Sequence, residues 1–234
     1  MNWNVTRFTT LASTNDLALE WMRAGTARAG DVLVTAEQRA GRGRPGRTWH
    51  SPPGALLLTA VLPFVPERVG WTALAAGAAV AQAVRSLGAP ARVKWPNDVV
   101  LEGRKLAGVL AETSVPGLVA VGIGMNVSNP PPPDPELAAR TARLADFLPQ
   151  VTVDTALEQV LAQLERHWAL LSAPVGCPLG AIWAELDTTL GRRLRWSEAG
   201  VTGTADGVDE HGALILRTDD GRRVAAAVGE VTFL

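Results

Sequence analysis

Residues 41–47 read Gly-Arg-Gly-Arg-Pro-Gly-Arg, and together with Arg39 they place Arg39, Arg42, Arg44 and Arg47 within nine positions. No Asp or Glu occurs between Glu37 and Glu67, so this segment carries a local charge of +4 in a chain whose formal net charge is −1. Guanidinium forks match carboxylate and phosphate oxygens two at a time, and Gly41, Gly43 and Gly46 let a backbone come close to a guest. A small polyanion is the natural ligand, because unpaired like charges repel one another when nothing sits between them. The same letters satisfy G-x-G-x-x-G. A dinucleotide fingerprint, however, needs a helix opening at the glycines and an acid about 20 positions on. Here Pro52 and Pro53 follow, then an apolar run, and residues 61–66 hold no acid.

The second chemical signal is lysine usage. The chain has 20 arginines and two lysines, Lys94 and Lys105, eleven positions apart. An ammonium is a compact point charge on a flexible stem, which a planar guanidinium does not reproduce. Lys94 opens Lys-Trp-Pro-Asn-Asp, which ends on Asp98, and Lys105 begins an apolar strand containing Leu106, Val109 and Leu110. The Lys105 ammonium is expected at a fixed depth beside a sheet, with Gly108 opening room above it, in preference to snorkelling into solvent. His50, His167 and His211 are scattered without an i, i+4 pair, so no metal site is read. Cys177, between Gly176 and Pro178, has no nearby base and reads as packing. Trp3, Trp21, Trp71, Trp168, Trp183 and Trp196 fall on helical or strand periodicity and read as core.

These residues must be positioned by a regular frame. Val5 to Thr10 reads as a strand and Asn15 to Ala24 as a helix behind the caps Ser13 and Thr14. Asp31 to Ala36 and Gly54 to Pro63 read as core strands flanking a loop over 38–53. Pro66 opens a predicted helix over Glu67 to Leu87, small-residue rich and suited to close packing on a sheet. Arg92 to Trp95, Val99 to Leu101, Lys105 to Thr113 and Leu118 to Asn126 read as strands, with a turn at Glu102-Gly103. Residues 129–135, NPPPPDP, form a stiff connector. Helices are expected over Pro135 to Phe147, Val153 to Leu171 and Leu179 to Leu190. Five short strands follow: Arg192 to Trp196, Val201 to Ala205, Ala213 to Arg217, Arg222 to Ala226 and Val231 to Leu234. The expectation is an α/β (α+β) chain with a mixed sheet flanked by helices over 1–190, and a small C-terminal barrel over 191–234. Leu118 to Met125 is taken as an edge strand open to a second subunit, so a homodimer is possible.

Composition sets the outer limits. With 234 residues, 47% hydrophobic and 19% charged, the chain has enough apolar mass for a sizeable core and too little charge for disorder. The near-neutral balance gives no global attraction to nucleic acid or anionic membrane. One cysteine excludes an internal disulfide framework and points to a reducing compartment, with the cytoplasm as default. The apolar stretch at 73–84 is far short of the ~20 residues of a membrane span.

Taken together, these segments resemble the biotin protein ligases. The resemblance is carried by Ser13-Thr14-Asn15, by QRAGRGRPGRTW from Gln38 to Trp49 and by KWPNDVVLEGRKLAGVLAE from Lys94 to Glu112. It continues through GIGMN from Gly122 to Asn126 and GVDEHGALIL over 207–216. It implies a class II aminoacyl-tRNA synthetase-like sheet with a C-terminal SH3-like barrel. It also implies two reactions: biotin and ATP, carried with Mg2+, give biotinyl-5′-AMP and pyrophosphate, and a lysine of a biotin carboxyl carrier protein then attacks this anhydride. By position, Ser13, Thr14, Asn15 and Gln38 would hold the biotin ureido group, with Gly43 beside them and Gly108, Gly122 and Gly124 giving access to the rings. Arg42 and Arg44 would cover carboxylate and phosphate and act catalytically with Lys105. Arg47 would reach the triphosphate, and Trp49 and Asn126 the adenine. Asp98 would orient Lys105, meet the acceptor lysine or support the magnesium. Pro45 stands where many relatives carry a further arginine. No winged-helix stretch precedes Val5, so a DNA-binding role is not expected. Two rival readings stay open: a lipoate or octanoate ligase or transferase of the same superfamily, and a non-catalytic small-molecule sensor.

Overall fold

The computed structural model describes residues 1–44, 47–50, 52–173 and 178–234. Pro45, Gly46 and Cys177, singled out above, lie outside them.

Seven strands form the main sheet in the order β1-β2-β3-β7-β6-β5-β4. They are β1 (Asn4–Leu11), β2 (Asp31–Gln38), β3 (Ala55–Pro63), β4 (Arg92–Lys94), β5 (Asp98–Leu101), β6 (Arg104–Glu112) and β7 (Leu118–Asn126). β1 and β2 run parallel, joined by helix α1 (Thr14–Arg23), and every other pairing in the sheet is antiparallel. The continuous apolar run of β3 is buried on both faces, as expected of a central strand. β7 lies between β3 and β6, so it is no edge; the edges are β1 and β4, which corrects the expectation for Leu118 to Met125.

Strand alternation sorts the side chains. Leu56, Leu58, Val121, Ile123 and Met125 face one core, where α2 (Trp71–Ser86) packs on α4 (Val153–Leu171). Leu33, Val61 and Ala120 face a smaller core with Ala18, Leu19 and Met22 of α1. The helix expected from Glu67 starts at Trp71 instead, and Pro66–Arg68 forms a separate 3-10 turn. Gly70 explains the break: a Cβ there would meet the His211 carbonyl oxygen at 2.1 Å, so the chain is pressed against the second sheet at that point.

The helix expected over Pro135 to Phe147 is confined to α3 (Pro135–Ala139), followed by a 3-10 turn at Leu144–Asp146. Between them the backbone leaves helical pairing to bind β6. Lys105 N donates to the Arg140 carbonyl at 2.8 Å, and Ala142 N donates to the Lys105 carbonyl at 2.8 Å. α5 (Leu179–Leu186) ends four residues earlier than expected, where Asp187 turns away and accepts hydrogen bonds from Thr189.

The second sheet is antiparallel and SH3-like, ordered β11-β10-β9-β8-β12. Its strands are β8 (Arg193–Trp196), β9 (Val201–Val208), β10 (Leu214–Arg217), β11 (Arg223–Ala226) and β12 (Val231–Phe233). Trp71 Nε1 donates to the Glu210 carbonyl at 2.9 Å and Trp95 Nε1 to that of Gly212 at 3.2 Å, tying its turn to the first sheet. Of the tryptophans read as core, Trp71, Trp168 and Trp183 are buried and Trp3, Trp21 and Trp196 are partly so; Trp95 joins them as a buried residue. Among the described residues no helix is long and apolar enough to cross a membrane.

Candidate active site

The site lies on the α1 face of the main sheet, and its floor is a register row. Leu57 pairs with Gly124, Gly124 with Gly108, Gly108 with Asp98, and Asp98 with Lys94. Two residues along each strand, on the same face, Thr59 pairs with Gly122 and Gly122 with Leu110. The three glycines therefore remove side chains from neighbouring strands at one place and leave a trough. The cleft above it measures about 950 Å³.

α1 supplies one end. Ser13 caps the helix by accepting from Asp16 N, and Thr14 N and Oγ1 both donate to Gln38 Oε1, at 2.8 and 3.1 Å. Asn15 Nδ2 donates to Glu112 Oε2 at 2.7 Å, while Thr59 Oγ1 lies 2.8 Å from both Thr14 Oγ1 and Asn15 Oδ1. Asn15 hangs directly over Gly122, where a Cβ would come within 2.4 Å of its Oδ1. Thr59 was not among the site residues read from sequence, although it is the one polar residue within the run ALLLTAVLP.

Lys105 stands at the other end. Its Nζ is 2.6 Å from Asp98 Oδ1 and 5.5 Å from the centre of a Trp49 ring. A bulge in the β5–β6 pairing between Val99 and Val100 and the Arg140–Ala142 segment together fix its backbone. Asn97, beside Asp98, donates Nδ2 to the Val109 carbonyl at 2.7 Å and accepts Val109 N on its own carbonyl at 3.0 Å. Trp49 lies over the glycine floor: a Cβ on Gly124 would meet its indole at 2.4 Å, and one on Gly108 at 3.3 Å. Asn126, further along β7, accepts from Asn129 Nδ2 at 3.1 Å.

The arginine loop crosses above, pinned to itself by an Arg42–Thr48 bridge, and Gly43 N donates to the Arg47 carbonyl at 2.9 Å. The picture of unpaired arginines is corrected here. Arg42 grips Glu112 through both terminal nitrogens, at 3.0 and 2.6 Å, and reaches Asp16 at 2.7 Å. Those Glu112 hydrogen bonds hold the Arg42 pKa above its usual value. Arg44 binds Glu230 at 2.8 Å and donates to the Gly229 carbonyl, and Arg47 binds the other Glu230 oxygen. The counter-ions come from residues distant in sequence, which a local count of charge does not include. Among the described residues no three His, Cys, Asp or Glu side chains converge on a point that could hold a metal ion.

The site thus joins a glycine floor covered by Trp49 and Asn15, an amide and hydroxyl cluster at one end, a lysine–carboxylate pair at the other and an arginine loop above. The profile of the Biotin/lipoate A/B protein ligase family matches residues 7–128, more than half of the chain. This chain belongs to that family. The profile of the Biotin protein ligase C terminal domain matches residues 197–234 of this family member. A Mycobacterium tuberculosis biotin–[acetyl-CoA-carboxylase] ligase is 35% identical, over 95% of this chain and 86% of that protein. A Paracoccus denitrificans protein of the same designation is also 35% identical, over 95% of this chain and 99% of that one. The solved biotin protein ligase from Aquifex aeolicus in complex with biotin and ATP superposes with a TM-score of 0.87 at 27% identity, covering 99% of this chain and 98% of that one.

Proposed function

We propose that this ligase-family protein joins biotin to ATP, forming biotinyl-5′-AMP and pyrophosphate, and then passes the biotinyl group to a lysine of a biotin carboxyl carrier protein in the cytoplasm. The observation that carries this reading is the trough itself: side-chain-free strands at Gly108, Gly122 and Gly124, bounded by Asn15 and Thr14 at one end and by Lys105 at the other.

The bicyclic rings of biotin would lie on the glycine floor, with ureido oxygen and nitrogens on Ser13, Thr14, Asn15 and Gln38. Its carboxylate would then reach Lys105. The α-phosphate of ATP brings a second anion to the same point, and bringing the two together is the main barrier. Lys105, Arg42 and Arg44 oppose that repulsion with fixed cations, which are stronger in a site partly cleared of water than in bulk. A carboxylate oxygen attacks the α-phosphorus, the bond to the β-phosphate oxygen breaks, and the electron pair leaves on pyrophosphate. Asp98 holds Lys105 by its ammonium, and Arg47, Trp49 and Asn126 would serve the nucleotide. Magnesium carried with ATP would shield the charge of the nucleotide phosphates, with Asp98 the carboxylate that could support it. In the second step the acceptor amine attacks the biotinyl carbonyl carbon, and AMP leaves with the bridging oxygen.

Release of pyrophosphate from ATP tests this reading. It should depend on added biotin, while octanoate and lipoate should give less than a tenth of the rate. Equal rates with octanoate or lipoate would move the assignment within the superfamily. No release with any of the acids would leave the sensor reading.

A further inference from the structure

Three elements meet at one carboxylate behind the α1 end of the trough. Glu112 ends β6, Asn15 lies in the first turn of α1 and Arg42 comes from the arginine loop, yet Glu112 itself does not line the cleft. Its Oε2 accepts from Asn15 Nδ2 at 2.7 Å and from Arg42 at 2.6 Å, and its Oε1 accepts from the other terminal nitrogen of Arg42 at 3.0 Å. Both carboxylate oxygens are committed, and Arg42 supplies the opposite charge. The Leu110 carbonyl, 3.3 Å from Asn15 Nδ2, takes the second proton of that amide.

Proton counting gives the amide a direction. Thr59 Oγ1 lies 2.8 Å from Asn15 Oδ1 and 2.8 Å from Thr14 Oγ1, but a hydroxyl has one proton to donate. With Asn15 turned over, Oδ1 would face Glu112 Oε2: two acceptors in contact with no proton between them, in a residue only 4% exposed. Glu112 therefore keeps Nδ2 on its own side. The floor agrees, since a Cβ on Gly122 would lie 2.4 Å from Asn15 Oδ1, 3.0 Å from Cγ and 3.3 Å from Nδ2. The oxygen is the amide atom turned to the trough. An amide oxygen has two lone pairs, and Thr59 occupies at most one of them, so the other is left for an N–H donor. A cyclic urea carries such N–H groups; the alkyl chain and dithiolane ring of the rival acids carry none.

We propose that Glu112 is a positioning residue for ligand specificity: it fixes the polarity of the Asn15 amide, so that the trough offers an acceptor to a ureido N–H. This rests on the proposed use of biotin. Arg42 holds the carboxylate from the loop side, so the loop and the ligand pocket share one side chain. Glu112 acts through Asn15 and touches neither ligand nor reacting atoms.

Isothermal titration with biotin tests this on variants of the full chain. Glu112→Gln keeps an acceptor oxygen for Asn15 Nδ2 and should bind within about threefold of wild type. Glu112→Met keeps the length but loses the acceptor, and should bind about tenfold weaker or more. Asn15→Asp sets two carboxylates against each other and should weaken binding as much. Adding Glu112→Gln to Asn15→Asp restores a donor–acceptor pair of the reverse sense, with an oxygen still over Gly122, and should recover most of the loss. A residue that only fills space gives no such recovery. Wild-type affinity in Glu112→Met, a loss in Glu112→Gln equal to that in Glu112→Met, or no recovery in the double variant would overturn the proposal. If the wild-type protein does not bind biotin, the functional reading itself fails, and NMR then decides the polarity alone. The Asn15 side-chain amide protons should exchange slowly in wild type and Glu112→Gln and fast in Glu112→Met; equal exchange in all three removes the proposal.

Discussion

Lys105 Nζ and Asp98 Oδ1 are 2.6 Å apart, on neighbouring strands, with Asp98 in register with Gly108. The carboxylate holds the ammonium beside the glycine floor, and the sheet sets the depth at which the charge meets a ligand. Lys105→Ala should therefore lower the rate of adenylate formation by about 100- to 1000-fold, about 3 kcal/mol, the scale of one lost oxyanion donor. Lys105→Arg should not restore it, because a planar fork cannot occupy the same point. Single-turnover formation of biotinyl-5′-AMP checks both, and a rate within tenfold of wild type in either variant contradicts the assignment.

Gly122 admits no side chain under Asn15, where a Cβ would lie 2.4 Å from Oδ1. Asn15 is not free to swing aside, being held by Thr59 and Glu112. Gly122→Ala should cost ~1–3 kcal/mol of local overpacking. If Asn15 is the ureido ligand, biotin affinity falls about tenfold or more as a result. Isothermal titration with biotin measures this, and unchanged affinity would take Asn15 out of the biotin site.

Glu230 clasps Arg44 and Arg47 and so ties the loop to the second sheet. Glu230→Gln should release that end of the loop, and trypsin should then cut within residues 39–47 faster than in wild type. Biotin with ATP, whose anions replace the lost carboxylate, should slow cleavage again in the variant. Mass analysis of the early fragments reads the outcome; equal cleavage in variant and wild type means the loop is held by other contacts.

His167 Nδ1 is 2.8 Å from the Gln163 carbonyl, and burial lowers the pKa of the imidazole. A group whose folded pKa lies below its unfolded value of 6.5 contributes stability that is complete above pH 6.5 and lost as pH falls through the folded pKa. The wild-type melting temperature should drop on acidification from about pH 7 to 5. His167→Leu should show a smaller drop, whatever its absolute stability. Parallel melting curves in the two proteins would exclude this linkage.

Sequence and structure agree most closely where the signal is local. The strands of the main sheet follow from apolar runs bounded by turn residues, and Glu102 with Gly103 makes the turn read for them, both at positive φ of 48° and 76°. Gly108 and Lys105 stand out in the pattern of their own strand, whereas Gly122 and Gly124 entered through the resemblance to the biotin protein ligases. What escaped was set by contacts across long separations. Arg42 meets Glu112 at a separation of 70 residues and Arg44 meets Glu230 at 186, which no window of charge counting spans. The short α3 has the same cause: a peptide segment with helical composition is taken over by hydrogen bonds to Lys105. Likewise α2 begins late because Gly70 is pressed on His211, 141 positions away.

The joining of a carboxylate to the α-phosphate is the core of the proposed function, and oxygen labelling follows it directly. Biotin carrying 18O in its carboxylate is incubated with ATP and the protein, and the adenylate is cleaved with hydroxylamine. AMP recovered from the mixture should contain one 18O from biotin, because the bridging oxygen stays on phosphorus when the amine attacks carbon. Unlabelled AMP, or no biotin-dependent AMP at all, would contradict the mechanism.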